Sequence, residues 1–532
     1  MSQFKKTVLP AALAFSLGMA LMSPAFAESV LNRGFGSAPS TLDPQLNQGA
    51  RENYIIGDLY EGLVVTDPHG NTQPGQAEKW EVSADGKTWT FHLRDGLKWS
   101  NGDPVVAGDF VCGLLRIIDP KVGSTNSYYL ISVLTVTNAK AFNEGKVSAD
   151  QVGIKAPDDQ TIVISLENPM PAALYIFTTL TTAPLHEASY EKAGNKIDYT
   201  NPANMVTNGA YVLKEFVPQS KVVLVRNPNY WDAKDVKIDS VIYDVTEDES
   251  TELKLYKSGA IDTTITVPAE QLPAVKQEMP KELIQSPTLG VRFLSLQSDA
   301  EPMKDIRVRK ALSYAIDREF LQDKIEKIGN IPLYSLSVNQ DPDYKPGKLE
   351  EAAWTQAQRN EKAKALLAEA GYGPNKPLTF TVIGPSKYKR RIEGIAAIWK
   401  KTLGIRVNID LNETKVWLEK LNTGNWVATI DGYGGDYPLA KTWLDNLRHS
   451  DQSGYHWLDD KYEKLMDDAN ANAADKSRFY DYLSQAEQEV LNQYVTIPIT
   501  VSTDNFLVKP YVKGWAVNPM GQPLTKYLSI EK

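Results

Sequence analysis

The chain has 532 residues, 42% of them hydrophobic, and a formal net charge of -9 with acids and bases interspersed. That length and apolar share can bury large cores and predict two or three domains, while the modest acidic balance argues against nucleic acid as a partner. The only cysteine is Cys112, which excludes an intramolecular disulfide and leaves the fold to rest on its core.

In chain order, the first element is a leader. Lys5 and Lys6 precede an apolar run from Val8 to Met22 that closes on Ala25, Phe26 and Ala27, the pattern of a signal peptide over 1–27 cut after Ala27. The run is interrupted by Pro10, Ser16 and Gly18, and at about 15 residues it falls short of the ~20 that span a bilayer. No cysteine near the cut offers a lipid anchor, so a freely diffusing protein exported to the periplasm of a double-membrane bacterium is expected.

Residues 28 to 100 read as β-rich. The clearest strand runs from Lys87 to Leu93, with Trp89, Phe91 and Leu93 on one face between two Asp-Gly turns. Asp103-Pro104 is read as the start of a helix through Phe110, Leu114 and Ile118, with the acid as N-cap, proline first, and Asp119-Pro120 as the stop. Strands follow at 161–166, 211–216, 222–226 and 236–245, with helices at 249–258 and 305–328. A helix from Gln358 to Ala370 ends at Gly371. A β-α-β unit follows, with strands at 377–383 and 405–411 around a helix that ends near Thr402. Helices at 458–469 and 476–492 lead to a closing strand at 495–502. No Gly-Ser linker or repeat separates these regions, so the domains are expected to interleave.

Catalytic signatures are missing: no HExxH, GxSxG, P-loop or GxGxxG pattern occurs. His449 and His456 are seven apart, but Asp451, Ser453 and Gly454 between them favour a loop over a metal pair. Asp459-Asp460 and Asp467-Asp468 read as solvated helix faces and not as a glycosidase pair. No metal and no cofactor is expected. The 11 Trp and 25 Tyr are mostly core, with a minority able to line a cleft.

Several segments resemble the large-type oligopeptide-binding proteins of ABC peptide importers. They are STLDP (40–44), DLYEGL (58–63), PGQAE (74–78), TWTFHLR (88–94), KWSNGDP (98–104), DF (109–110), TNGAY (207–211), NPNYW (227–231), DIRVRKAL (305–312), DR (317–318), ALLAEAG (365–371) and GYGGDY (432–437). Their order covers nearly the whole mature chain. The resemblance implies an α/β large-type periplasmic binding protein of three interleaved lobes around a closing ligand cleft. Lobe I would comprise 28–60, 187–289 and 505–532, lobe II 61–186, and lobe III 290–504. It also implies an oligopeptide or peptide-like ligand, a monomeric receptor, and a partner of two membrane permease subunits with two ATPases.

By the same resemblance, Asp436 matches the carboxylate that pairs with the ligand's α-ammonium; the bland reading is an Asp capping its own Gly-rich turn. Tyr433, Gly434 and Gly435 match positions facing the ligand backbone, the glycines by close approach or by turn geometry alone. Ala50 corresponds to a main-chain contact. Gln48, Asn126 and Tyr128 fall where the cleft is lined, and Arg292 is a candidate cleft cation, with a solvated strand-end Arg as its alternative. One departure stands out: Glu326, Leu421 and Ile430 occupy places where relatives carry basic side chains for the peptide C-terminus. Three readings follow from that departure. Another base such as Arg292 serves, the far end meets water, or the ligand is another amine-bearing solute such as a murein peptide, an opine or a peptide conjugate. A secreted hydrolase is the different-class alternative.

Overall fold

The structure, a computed structural model, describes residues 28–338, 341–448, 456–521 and 523–532. The expected leader at 1–27 and His449 lie outside the described residues.

Among the described residues, fourteen strands build three larger sheets. In chain order they are β1 (Val30–Gly36), β2 (Ala77–Val82), β3 (Thr88–Leu93), β4 (Ile154–Asp158), β5 (Thr161–Ser165), β6 (Tyr211–Val217) and β7 (Lys221–Arg226). They continue with β8 (Ser240–Val245), β9 (Leu283–Leu296), β10 (Ile331–Pro332), β11 (Thr379–Pro385), β12 (Arg406–Asn412), β13 (Ala428–Gly434) and β14 (Thr496–Leu507). The first sheet has the order β1-β8-β7-β6, the second β2-β3-β5-β4, and the third β10-β14-β9-β13-β11-β12.

Local sequence explains most of these elements. In β3 the alternation is realised, with Trp89, Phe91 and Leu93 buried. The helix Gln356–Glu369 starts at Thr355, whose Oγ1 accepts from the Gln358 backbone N–H (3.3 Å) while Gln358 Oε1 accepts from Thr355 N–H (2.9 Å). Its chain exit passes through Gly371 at φ +85°. The β-α-β unit forms as read, with β11 and β12 parallel around the helix Lys389–Leu403.

Three readings need correction. The helix after Asp103-Pro104 begins only at Ala107, because Pro104 bridges back to Lys98 and Asp109 Oδ2 takes the N–H of Val106 at 2.9 Å. The helix expected over 305–328 breaks after Ala315. There Asp317 turns its side chain onto the Phe320 N–H (2.9 Å), and a π-helical turn, Leu321–Glu326, follows. The strand expected from Val236 starts at Ser240, the preceding residues being held as a loop by Arg226, which donates to Val236 O and Asp239 Oδ1.

The expected crossings at 289/290 and 504/505 fall inside β9 and β14. These strands are paired antiparallel from Leu283↔Leu507 to Ser295↔Thr496. Their register is interrupted by a bulge between Pro287 and Val291, where three residues of β9 face one of β14, and shifts again between Arg292 and Phe293, where β14 has one extra residue. Positions 289/290 and 504/505 therefore lie within paired strands of the third sheet and not in loops.

Candidate functional site

Asp436 sits two residues past the end of β13, on a loop fixed by its backbone. The Gly435 N–H donates to Leu289 O in the β9 bulge (2.9 Å), and the Asp436 N–H donates to Thr442 Oγ1 (3.1 Å). The side chain does not cap this turn, as the bland reading had it. Three phenols bind it instead: Tyr128 and Tyr129 donate to Oδ1 at 2.8 and 3.1 Å, and Tyr433 donates to Oδ2 at 2.8 Å. Tyr128 and Tyr129 come from the part of the chain that carries the second sheet, so segments belonging to two different sheets meet at one carboxylate. A π-helical turn, Tyr129–Val133, begins at the second of these consecutive residues.

Burial pushes all three hydroxyls well above an ordinary phenol, and the charge of Asp436 adds to the shift; Tyr433 is pushed up to about 12. They remain O–H donors throughout the neutral range. The carboxylate is thus hydrogen-bonded but makes no ion pair among the described residues. It borders a cavity of about 370 Å³. A half-buried anion with donors on one side and open space on the other is suited to a cationic guest.

The same cavity gathers Gln48, Ala50, Asn126, Gly435 and Tyr129. Asn126 contributes indirectly, since its amide donates to Gln45 O (3.1 Å) and Asn47 O (2.8 Å) and so holds the loop that presents Gln48 and Ala50. That loop is also anchored by Arg116, which reaches both oxygens of Asp43 (2.7 and 2.6 Å) and Gln45 Oε1 (2.8 Å). The two glycines differ in their reasons. A Cβ on Gly435 would lie 2.6 Å from the Trp443 ring, so packing demands glycine there, whereas one on Gly434 would meet nothing within 4 Å. Neither has a positive φ, so turn geometry requires neither.

β13 also offers an unused edge. It pairs with β9 on one side through Gly434, but with β11 on the other only at Ala428 and Thr429. From Ile430 onward that edge carries no partner strand among the described residues, and it runs towards Asp436. An extended chain can pair there strand-fashion.

Arg292 is not part of the Asp436 cavity. It pairs in register with Gly432, four positions back along the strand system. It is not a solvated strand-end Arg either: burial, then the neighbouring Arg391, lowers its pKa. The three departing positions are accounted for. Leu421 packs with Ile383, Trp417 and Trp426, Ile430 lies in the main core, and Glu326 is tied to Arg391 by two bonds (2.8 and 3.2 Å). The acidic pairs are structural, with Asp459 capping a helix at the Tyr462 N–H (2.8 Å) and Asp467 bonded to Arg448. His456 meets Asp299 at 3.0 Å. No group of three His, Cys, Asp or Glu suited to a metal occurs among the described residues, where no helix is long and apolar enough to cross a membrane.

Sequence reasoning missed Tyr129 and Thr442. Helical spacing sends adjacent residues such as Tyr128 and Tyr129 in different directions, so their convergence on Asp436 carries no signal in the sequence pattern.

Residues 71–455 match the bacterial extracellular solute-binding proteins, family 5 middle. The chain is 36% identical to the periplasmic oligopeptide-binding protein OppA of Salmonella typhimurium, covering 99% of this chain and 97% of the relative. Among solved structures it is similar to the periplasmic murein tripeptide-binding protein MppA in its unliganded open form (TM-score 0.84, 32% identity, covering 94% of this chain and 97% of the other). Against a second structure, that of Escherichia coli MppA, the TM-score is 0.77 at the same 32% identity, covering 95% and 99%.

Proposed function

Since the chain belongs to the bacterial extracellular solute-binding proteins of family 5, we propose that it captures oligopeptides in the periplasm and delivers them to the permease of an ABC importer. The observation that carries this reading is Asp436, a carboxylate with three phenol donors and an open cavity and, among the described residues, no ion pair, at the end of a strand edge left unpaired by those residues. The amine of a peptide meets Asp436 while its backbone pairs with the edge of β13, opposite the loop of Gln48 and Ala50. Main-chain pairing is common to all peptides and gives affinity without side-chain selection. The protein acts by binding and release and not by catalysis, in keeping with the binding-protein names of its relatives.

We assign lobe I to 28–60, 187–289 and 505–532, lobe II to 61–186 and lobe III to 290–504, with the bulged β9-β14 pair as hinge. Closing about that pair brings the Gln48–Ala50 loop onto a ligand laid along β13. A monomer suffices, because all of these groups come from one chain.

A melting-shift panel tests the reading. A ligand at about 100 times its dissociation constant stabilises by about 2.7 kcal/mol, and tri- to pentapeptides are expected to produce such shifts. Shifts from a murein peptide or a conjugate alone would select the second reading, an amine-bearing solute of another kind, which the similarity to the murein tripeptide-binding protein favours. Hydrolysis of a peptide pool by the purified protein would reverse the non-catalytic assignment.

The pH dependence of affinity follows from the same groups. The ligand's ammonium gains a partner, so its pKa rises on binding; the gain is full below the free α-amino value of about 8 and is lost as pH climbs towards the bound value. The tyrosine donors, raised as described, do not titrate in that window. Calorimetry is expected to show constant affinity from about pH 6 to 7.5 and a fall approaching tenfold per pH unit above about 8. An affinity that stays flat to pH 10 would mean that no amine is bound.

A further inference from the structure

Leu439, just beyond Asp436 in the chain, lines a second cavity, of about 430 Å³. It lies between two parts of the chain. Val82, Met170 and Tyr175 come from the stretch assigned to lobe II, and Asp341, Leu439 and Tyr480 from the stretch assigned to lobe III. The two parts nearly touch at its rim, where a Cβ on Gly86 would come 3.9 Å from Cβ of Ala474. Since Tyr128 and Tyr129 of the first stretch already bond Asp436 of the second, both cavities belong to one seam.

Tyr175 reaches this seam through the spacing on its short helix, Ala173–Phe177. Ala173, Ile176 and Phe177 turn into the core, which leaves Tyr175 half-buried on the remaining face. Its hydroxyl makes no hydrogen bond among the described residues. Burial, then the charge of Asp341, raises its pKa, so it remains a donor at neutral pH and already feels that carboxylate. Asp341 is held as a fixed acceptor. Its Oδ2 takes the Tyr480 hydroxyl (2.8 Å) and the Lys476 ammonium (2.9 Å), and its Oδ1 takes the Asp343 N–H (3.0 Å). Lys476 also meets Asp343 at 2.7 Å, so two carboxylates share one ammonium.

We propose that Tyr175 and Asp341 form a latch outside the ligand cavity: when the lobes close on a ligand, the Tyr175 hydroxyl donates to the Asp341 carboxylate across the seam and slows the ligand's release. The inference rests on the peptide-receptor reading and its lobe assignment, and adds residues that set affinity without touching the ligand. The apolar side chains of Val82, Met170 and Leu439 shed water as the gap shuts, and a hydrogen bond to a charge is strongest in such a dry site. A bond made only in the closed state stabilises that state alone. It leaves the first encounter unchanged and lengthens the life of the complex.

The test compares the full-length mature wild type with Tyr175→Phe, Asp341→Ala and the double variant. Each is loaded with a random tetrapeptide pool and diluted, and native mass spectrometry follows the fraction still bound; association is followed by stopped-flow tryptophan fluorescence. Tyr175→Phe is expected to release peptide at least tenfold faster, the factor carried by a hydrogen bond to a charged group. Its association rate and the melting temperature of its unliganded form are expected to match the wild type. In the Asp341→Ala background the same substitution is expected to change release less than twofold, because the partner is already gone. Unchanged release by Tyr175→Phe, or an equal effect with and without Asp341, would overturn the latch and leave the peptide reading standing. Slower association or a lower melting temperature in place of faster release would make Tyr175 a packing residue and overturn the latch as well. A wild type that retains no peptide would overturn the peptide reading and this inference with it.

Discussion

Asp436→Ala is expected to weaken peptide binding by about 30- to 150-fold, the equivalent of about 2–3 kcal/mol for a charge-assisted bond in a closed cleft. The loss has two parts. The ligand's ammonium forfeits its carboxylate partner, and Tyr128, Tyr129 and Tyr433 lose a shared acceptor. Calorimetry with a tripeptide or tetrapeptide pool measures the sum. Asp436→Asn separates the parts, because an amide oxygen can still accept from a phenol but cannot neutralise a cation. Comparable losses in both variants mark charge as the dominant part. The melting temperature is expected to hold in both, since the side chain borders a cavity and no core contact is removed. Unchanged affinity in Asp436→Ala would withdraw the assignment.

A stability loss of similar size is expected at Asp43→Ala. Asp43 and Arg116 are both buried, with side chains 5% and 6% exposed, and they share a bidentate contact. Removing the acid leaves the guanidinium uncompensated in the interior, at a cost of about 3–5 kcal/mol, whereas replacing both by apolar residues is close to neutral. Denaturant unfolding is therefore expected to shift strongly for Asp43→Ala and little for Asp43→Leu/Arg116→Met. Because the pair anchors the loop bearing Gln48 and Ala50, the single variant also weakens ligand binding, and Asp436→Ala does not share its stability defect. Equal destabilisation by the single and double variants would show that packing volume, and not the stranded charge, sets the cost.

How much of this was legible in the sequence varies with the range of the interaction. Elements set by local chemistry read correctly: the alternation of Trp89, Phe91 and Leu93, the capped helix ending at Gly371, and the parallel pair β11 and β12. Readings failed where a side chain competes with the backbone, as Asp317 does in breaking the helix expected over 305–328. Length of β14 was underestimated because its last residues, through Leu507, are held by Leu283 and Thr264, more than two hundred residues away.

The site divides in the same way. Resemblance placed Asp436, Gln48, Ala50, Asn126 and Tyr128 in one neighbourhood; the cavity gathers the first four, and Tyr128 joins them through its bond to Asp436. It could not show that Asn126 spends its amide on a loop, nor that Glu326 is the buried partner of Arg391. Those facts depend on side-chain pairs brought together only by the fold. Arg292 was singled out for its charge and strand context, but its position across Gly432 needed the register of β9 against β13.

The paired entry and exit of the third sheet have a consequence for how such a protein can be rebuilt. Leu283 and Leu507 are direct neighbours across one ladder, so the stretch between them leaves and re-enters the rest of the molecule at nearly the same point. In topological terms it is an insertion closed at its own base. A chimera that exchanges the whole stretch joins two ends about 5 Å apart and keeps both halves of the ladder from a single parent. One cut at 290 and 504, the nominal lobe limits, would ask strands of different ancestry to pair across the bulge. Recombination between relatives should therefore follow the ladder and not the proposed lobe limits.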